Sequence, residues 1–510
     1  MAFHYRVFVL FSLCLLTRLC FVGTFLDSYD SINFAFGLQE YNLALLQPHF
    51  PGYPVYVFIS GIFFKIIGND VWALSLPNVL FGSLTVYPLS LLTRRLFSEG
   101  VATVAAGLYI INPLCWLQAE RAVSDTTGSF FILVSAYVLF HVYESKIRCT
   151  QFVDSQFSPG YVLFPLKKRR KRVSLLLKIQ QPFSDIACLF WGSFVLGLSL
   201  GVRLSYFPFT ALWFGVLVCN ARVMFFAATG IICGICSWLV PQLVSVGWYS
   251  FCQTGNSFLY GHFIDWGGSI VTFGGMERFA VFAKSVIACG LGCGLGALSL
   301  FMVVPVTVTV FTLLSSLRKC CFHSKGLFWG IYMAPYLLWV IIGQNVKEPR
   351  HLLPFMPVFL VIISYGLCAV YKKWGKGISF ALTLIIMSGM LWVSVTSVVQ
   401  YKKNIPVQVQ LVQFIEKNYE DISTRIYCGE EKRFFDYYAP HWDVRKARDV
   451  EEIEADLQSS LCVPDTILVV RMHGENKEFW EKHIHILSLK TTIKATNTQK
   501  ELMLYQWNGR

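Results

Sequence analysis

The sequence predicts an all-α polytopic membrane domain of about eleven transmembrane helices over residues 1–400, followed by a small α/β domain over residues 401–510. Three observations lead there. Of the 510 residues, 55% are hydrophobic and 14% charged, against about 25% charged in soluble domains, and mean hydropathy is positive. The apolar residues gather in runs long enough to cross a bilayer. The charge is divided unevenly: residues 1–400 carry 27 Lys and Arg against 13 Asp and Glu, while residues 401–510 carry 16 against 17. The net +13 therefore belongs to the membrane part, and disorder, a fibrous repeat or a disulfide-rich module is excluded. A nucleic-acid partner finds no support, because the basic residues lie in clusters between apolar runs, as cytoplasmic loops require.

Taking the elements in order, Val7 to Thr24 is interrupted only by Arg18 and lacks a small-residue cleavage site, so it reads as a retained signal anchor. Further spans are expected near 71–93, 100–117, 126–143, 185–202, 205–219, 223–245, 285–316, 327–343, 353–371 and 378–400. The stretch 285–316 is long for one helix and leaves room for an interfacial turn or two pieces. Tyr53 to Ile67 is apolar but short and contains Lys65. Treated as a surface helix, it leaves Arg94-Arg95, the block Lys167 to Arg172, Arg222, Arg318-Lys319 and Lys372-Lys373 all on the cytoplasmic side. The amino terminus is then inside and the tail outside. Most of the 16 cysteines lie within apolar runs as small apolar residues. Cys233 and Cys236 have no matching pair for a metal or redox site, whereas Cys428 and Cys462 could bridge in an extracytoplasmic tail.

The tail alternates helix-like stretches (Val407 to Lys417, Lys432 to Tyr438, Val450 to Leu457, Lys477 to His483) with strand-like ones (Arg425 to Cys428, Thr466 to Arg471, Leu487 to Ile493, Leu502 to Trp507). It has no N-x-[ST] acceptor, which favours a bacterial inner membrane over a glycosylated lumen. Phosphate-loop and dinucleotide fingerprints are absent from the sequence.

This topology gathers the ionisable residues on the outer face. The loop 25–70 offers Asp27, Asp30, Glu40, His49 and Asp70. The next outer loop offers Glu120, Arg121 and Asp125, Arg203 ends a span outward, and a late loop carries Lys347, Glu348, Arg350 and His351. Carboxylates and arginines converging from four loops suit an anionic lipid headgroup. Plainer roles compete. Asp27 and Asp30 suit any solvated interfacial loop, Asp125 suits a helix N-cap before Thr126, and His49 suits a loop. Arg203 and Arg350 suit interfacial snorkelling, and Arg121 competes with both for the phosphate role. The turn Gln47-Pro48-His49-Phe50-Pro51-Gly52-Tyr53-Pro54 fixes backbone direction, as a positioned site needs.

Asp30 followed by Pro48-His49-Phe50-Pro51-Gly52-Tyr53-Pro54 resembles the first outer loop of GT-C-fold membrane glycosyltransferases, in particular bacterial relatives of the protein O-mannosyltransferase and aminoarabinose transferase families. Phe50 departs from the pattern by replacing a proline. Glu120-Arg121-Ala122-Val123-Ser124-Asp125 is similar to the family's second acidic motif. Glu348-Pro349-Arg350-His351-Leu352-Leu353-Pro354 is similar to its late loop, and Gly201 to Pro208 fits its arginine beside a proline-bearing span. The resemblance covers roughly residues 5 to 370, not the tail. It implies transfer of a sugar from a polyprenyl-phosphate donor to a glycan, lipid or protein acceptor, with inversion. The chemistry asks for one carboxylate to take the acceptor hydroxyl's proton or to orient that acceptor, and for cations on the departing phosphate. Asp30 is the expected base. Asp125 is expected to hold the acceptor or a divalent metal ion, Arg203, Arg350 and His351 to meet the phosphate, and His49 and Tyr53 to neighbour them. A flippase for a lipid-linked intermediate, or a non-catalytic scaffold, are the rival classes.

Overall fold

In the computed structural model, residues 1–156, 183–212, 221–265, 268–293, 303–317, 323–447, 449–460, 464–472, 487–494 and 501–508 are described. The basic block Lys167 to Arg172, Arg318-Lys319, Cys462 and the expected helix Lys477 to His483 lie outside them. Contacts divide the chain into two units, one of residues 1–22 and 37–399, the other of 23–36 and 400–510.

The first unit is helical. In chain order it contains α1 (Ala2–Leu19), only the last turn of α2 (Tyr29–Gln39), α3 (Pro54–Ile67), α4 (Asp70–Leu84), α5 (Val86–Leu96), α6 (Glu99–Ile110), α7 (Pro113–Glu120), α8 (Asp125–Gln156), α9 (Phe183–Val202) and α10 (Ala221–Val246). It continues through α11 (Trp248–Tyr260), α12 (Gly275–Lys284), α13 (Val303–Leu317), α14 (His323–Gly343) and α15 (Met356–Trp374) into α16 (Lys376–Lys403).

Six helices among the described residues are long and apolar enough to cross a bilayer, or seven if the bent pair α6 and α7 counts as one span. The chain is an integral membrane protein, but the expected eleven crossings exceed this number. The differences have local causes. The expected span 100–117 bends by 56° between α6 and α7, where Pro113 opens the second helix and the Asn112 carboxamide caps it by accepting from the Cys115 amide at 3.0 Å. The expected helix 205–219 begins as a 3-10 turn, Leu204–Ala211, with Pro208 inside it. The long stretch from 285 starts as a π turn, Ser285–Gly290, before α13. One apolar helix, Pro54–Ile67, is shorter than a full crossing. On α3, Tyr56 and Ser60 are buried while Phe58, Ile62 and Ile66 are exposed, so this helix packs by one face only.

The second unit contains α17 (Val407–Asn418), α18 (Lys432–Tyr438), α19 (Val450–Ser459) and a sheet of β1 (Thr424–Cys428), β2 (Asp443–Lys446), β3 (Thr466–Met472), β4 (Leu487–Lys494) and β5 (Glu501–Trp507) in the order β2-β1-β3-β5-β4. The strands β2, β1 and β3 are parallel, and β5 runs antiparallel to both β3 and β4. Tyr427, Ile453, Ile467, Val469, Tyr505 and Trp507 belong to its core, and central β1 is buried throughout. Strand β2, which sequence periodicity missed, has four residues, three of them charged, at the sheet edge, where charge guards against edge pairing. Cys428 is buried in β1. The segment 23–36, expected in the outer loop of the membrane part, packs with the tail instead.

Candidate functional site

In the membrane unit the turn between α7 and α8 is held from below by α4. The Asn78 carboxamide, fully buried, donates to the carbonyls of Arg121 (2.8 Å) and Val123 (2.5 Å), and its oxygen accepts from the amide (3.1 Å) and hydroxyl (2.7 Å) of Thr127. One side chain thus satisfies backbone groups that the helix break exposes. This fixes Asp125 as the first residue of α8, with Glu120 buried at the end of α7.

The Asp125 carboxylate does not cap its helix. Its Oδ2 accepts from Arg203 Nη1 at 3.0 Å, with side-chain exposures of 0% and 9%. The Tyr206 hydroxyl donates to the Asp125 carbonyl at 3.0 Å. A Cβ at Gly128 would lie 2.6 Å from the Tyr206 ring, so the absence of a side chain there permits the approach. Burial opposes the charge on Arg203, but Asp125 outweighs it and raises the guanidinium pKa. Arg203 therefore does not snorkel.

Arg203 Nη2 also faces His351 Nδ1 at 3.4 Å; because arginine only donates, this contact places the imidazole proton on Nε2. His351 is 5% exposed and its carbonyl accepts from the Tyr336 hydroxyl at 3.2 Å. Arg350, 16% exposed, lies 3.6 Å from Glu348, and its charge acts on both Arg203 and Tyr206. Tyr53 also acts on Arg203. Asp125, Arg203 and His351 are thus in contact, with Arg350 and Tyr53 within electrostatic range.

The proline-rich turn brings His49 and Tyr53 together, Nε2 to hydroxyl 3.0 Å, while the His49 ring stacks on Phe258 at 6.0 Å. Gln242 of α10 donates to the carbonyl of Pro51 and to the Tyr41 hydroxyl, which donates to the carbonyl of Gly52. Gly52 has φ +92°, and a Cβ there would collide with Tyr41 and Gln242. Tyr53 also has a left-handed backbone, φ +46°, a conformation that aromatic residues rarely adopt.

Asp27 and Asp30 lie in the other unit. There Ser28 caps α2: its hydroxyl accepts from the Ser31 amide at 3.2 Å, and Ser31 Oγ accepts from the Ser28 amide at 3.1 Å. This places Asp30 in the first turn of α2, where the helix dipole favours a carboxylate.

Sequence reasoning missed Asn78, Gln242 and Arg278. The first two are polar residues inside apolar spans, a signal that marks functional positions in membranes. Arg278, 1% exposed, donates to the carbonyls of Gly268 (2.7 Å), Phe273 (3.1 Å), Val340 (3.4 Å), Ile341 and Gln344 (2.5 Å). It thereby closes the end of α14 from which the Arg350 loop departs. Among the described residues no three His, Cys, Asp or Glu side chains gather as metal ligands.

The family model of dolichyl-phosphate-mannose-protein mannosyltransferases matches residues 48–154, less than half of the chain. No curated protein matches by sequence. Among solved structures, apo ArnT from Cupriavidus metallidurans is similar with a TM-score of 0.54 at 11% identity, over 99% of this chain and 98% of that one. ArnT from the same organism bound to undecaprenyl phosphate aligns with a TM-score of 0.50 at 12% identity, over 99% and 97%. The arabinofuranosyltransferase AftD from Mycobacteria aligns with a TM-score of 0.52 at 11% identity, over 99% of this chain and 40% of that one.

Proposed function

We propose, from the GT-C fold that this chain shares with those membrane glycosyltransferases, that it transfers a sugar from a polyprenyl-phosphate donor to an acceptor hydroxyl on the extracytoplasmic side. The observation that carries the reading is the buried Asp125–Arg203 pair with His351 against it and Arg350 in range, Asp125 lying within the stretch 48–154 that the mannosyltransferase model matches. The solved ArnT complex contains undecaprenyl phosphate, which supports a lipid-linked donor here.

In this reading the acceptor oxygen attacks the anomeric carbon and its proton passes to Asp30. The bond from the anomeric carbon to the phosphate oxygen breaks, and its electron pair leaves on the phosphate, so the configuration inverts. Arg350 and His351 donate to that phosphate, and charge-assisted bonds in a water-poor site stabilise it most as charge develops. Asp125 serves Arg203: it compensates the guanidinium in a low-dielectric place and holds one of its nitrogens, leaving the other edge directed at His351. A transporter would move the same lipid without breaking this bond.

The test is transfer from labelled polyprenyl-phosphate-linked sugars in membranes, with donor binding measured alongside. Asp30→Asn keeps size but removes the proton acceptor, so turnover falls by roughly 10²-fold or more while donor binding survives. Arg350→Ala weakens donor binding instead. Asp27→Asn is the control. Full transfer by Asp30→Asn, or a larger loss in Asp27→Asn, would remove Asp30 as the base, and movement of the lipid-linked sugar across the bilayer without bond breaking would make the protein a flippase.

A further inference from the structure

The sequence suggests a tail with a modest role in acceptor choice or stability. Its contacts assign it more. The segment that carries Asp30 belongs to the tail unit, and α18 grips it on both sides of that residue. Before Asp30, the Tyr438 hydroxyl accepts from the Leu26 amide at 2.9 Å and lies 3.4 Å from the Leu26 carbonyl, while the Phe25 ring packs at 6.5 Å from the Tyr438 ring. After it, Arg433 Nε donates to Asn33 Oδ1 at 2.7 Å, and the guanidinium lies over the Phe36 ring at 4.4 Å. Tyr437 meets that ring edge to face at 5.7 Å.

Between the two anchors Tyr29 feels the charges of Arg433, Glu430, Asp30 and Asp436 together. A guanidinium that is simultaneously a hydrogen-bond donor and an aromatic cover is fixed in plane and direction, which an ammonium group cannot reproduce. The grip therefore defines where the first turn of α2 stands, and a carboxylate acting as a base must stand within a fraction of an ångström of its target.

We propose that α18 is the positioning element for Asp30, with Arg433 and Tyr438 as positioning residues, so that the tail is part of the catalytic apparatus. This rests on the reading of Asp30 as the base. It makes the tail indispensable to turnover and dispensable to donor binding.

The experiment uses the full chain in membranes, with whichever of polyprenyl-phosphate-linked mannose, glucose or arabinose it turns over. Arg433→Ala lowers kcat by roughly tenfold or more with donor KM nearly unchanged; Arg433→Lys recovers only part of it, and Tyr438→Phe gives a smaller loss. In the Asp30→Asn background Arg433→Ala costs less than about twofold, because a residue acting through Asp30 has nothing left to position. The same factor in both backgrounds would overturn the proposal in favour of a general loss of tail stability, whereas a fully active Asp30→Asn would overturn the base assignment itself. Hydrogen exchange gives a readout independent of turnover. Amides of residues 29–36 exchange faster in Arg433→Ala while those of 121–130 do not change; unchanged exchange at 29–36 would show that no grip exists, and turnover of none of the three donors would fail the proposed function.

Discussion

Removing the Asp125 carboxylate strands the Arg203 guanidinium, 9% exposed and 3.4 Å from His351, without the anion that lies 3.0 Å from it. Two unit charges about 4 Å apart attract by about 4 kcal/mol at an effective dielectric of about 20. Stripping one partner from a buried pair costs about 3–5 kcal/mol in proteins. Asp125→Ala should therefore lose about that much stability. Asp125→Leu combined with Arg203→Met removes both charges and should recover most of it, since apolar replacement of a buried pair is close to neutral. Activity should not follow stability. If Arg203 orients His351 toward the donor phosphate, the double variant folds but binds donor weakly. Unfolding of the solubilised chain, followed by intrinsic fluorescence, measures the first quantity, and binding of a labelled polyprenyl phosphate measures the second. A loss below about 1 kcal/mol in Asp125→Ala, the size expected of an exposed ion pair, would refute the buried pair. Normal donor binding in the double variant would refute its role.

Other outcomes follow from the same physical arguments. Asn78→Leu leaves the Val123 carbonyl and the Thr127 amide without the carboxamide that meets them, at about 1–3 kcal/mol for each group left buried and unpaired, while the Arg121 carbonyl keeps the Val123 amide at 3.0 Å. It should therefore lower thermal stability and donor turnover together, and a variant as stable and active as the parent would show that the turn is held by something else. In the tail, burial works against the ionised form of Asp456, but hydrogen bonds from Tyr427 and Arg445 and the arginine charges outweigh it; the balance at Asp443, with Arg425 and Arg445, is alike, and both carboxyl pKa values are lowered. The stabilisation is thus present above the unfolded value of about 3.9 and lost as pH falls through the lower folded one. Limited proteolysis of the full chain should show the tail loosening only below about pH 4, and Asp456→Asn should flatten that dependence. Equal acid sensitivity in both proteins would rule Asp456 out as a contributor.

Much of the architecture follows from one-dimensional signals. Hydropathy marks the apolar runs because a bilayer demands them locally, and periodicity marks β1, β3, β4 and β5 because each alternates or buries its own residues. The helix Pro54–Ile67 was legible from its length and its preceding proline turn. Hydropathy could not tell a full crossing from the pieces of one, as at the bend between α6 and α7, since the break depends on where a proline and a capping asparagine meet.

The residue types of the candidate site, carboxylates and arginines at loop ends, are likewise written in the sequence, and so is their order along the chain. Their partnerships are not. Asp125 reads as a helix cap until Arg203, 78 residues away, takes its carboxylate, and Asn78 reads as a stray polar residue until the turn at 121–127 closes over it. The segment around Asp30 reads as part of the membrane domain until Arg433, 400 positions later, bonds to Asn33. Hydrophobicity and capping act within a few residues and can be read locally, whereas compensation of a buried charge or a buried carboxamide depends on which distant groups the packed chain brings within 3 or 4 Å. That choice belongs to tertiary structure alone.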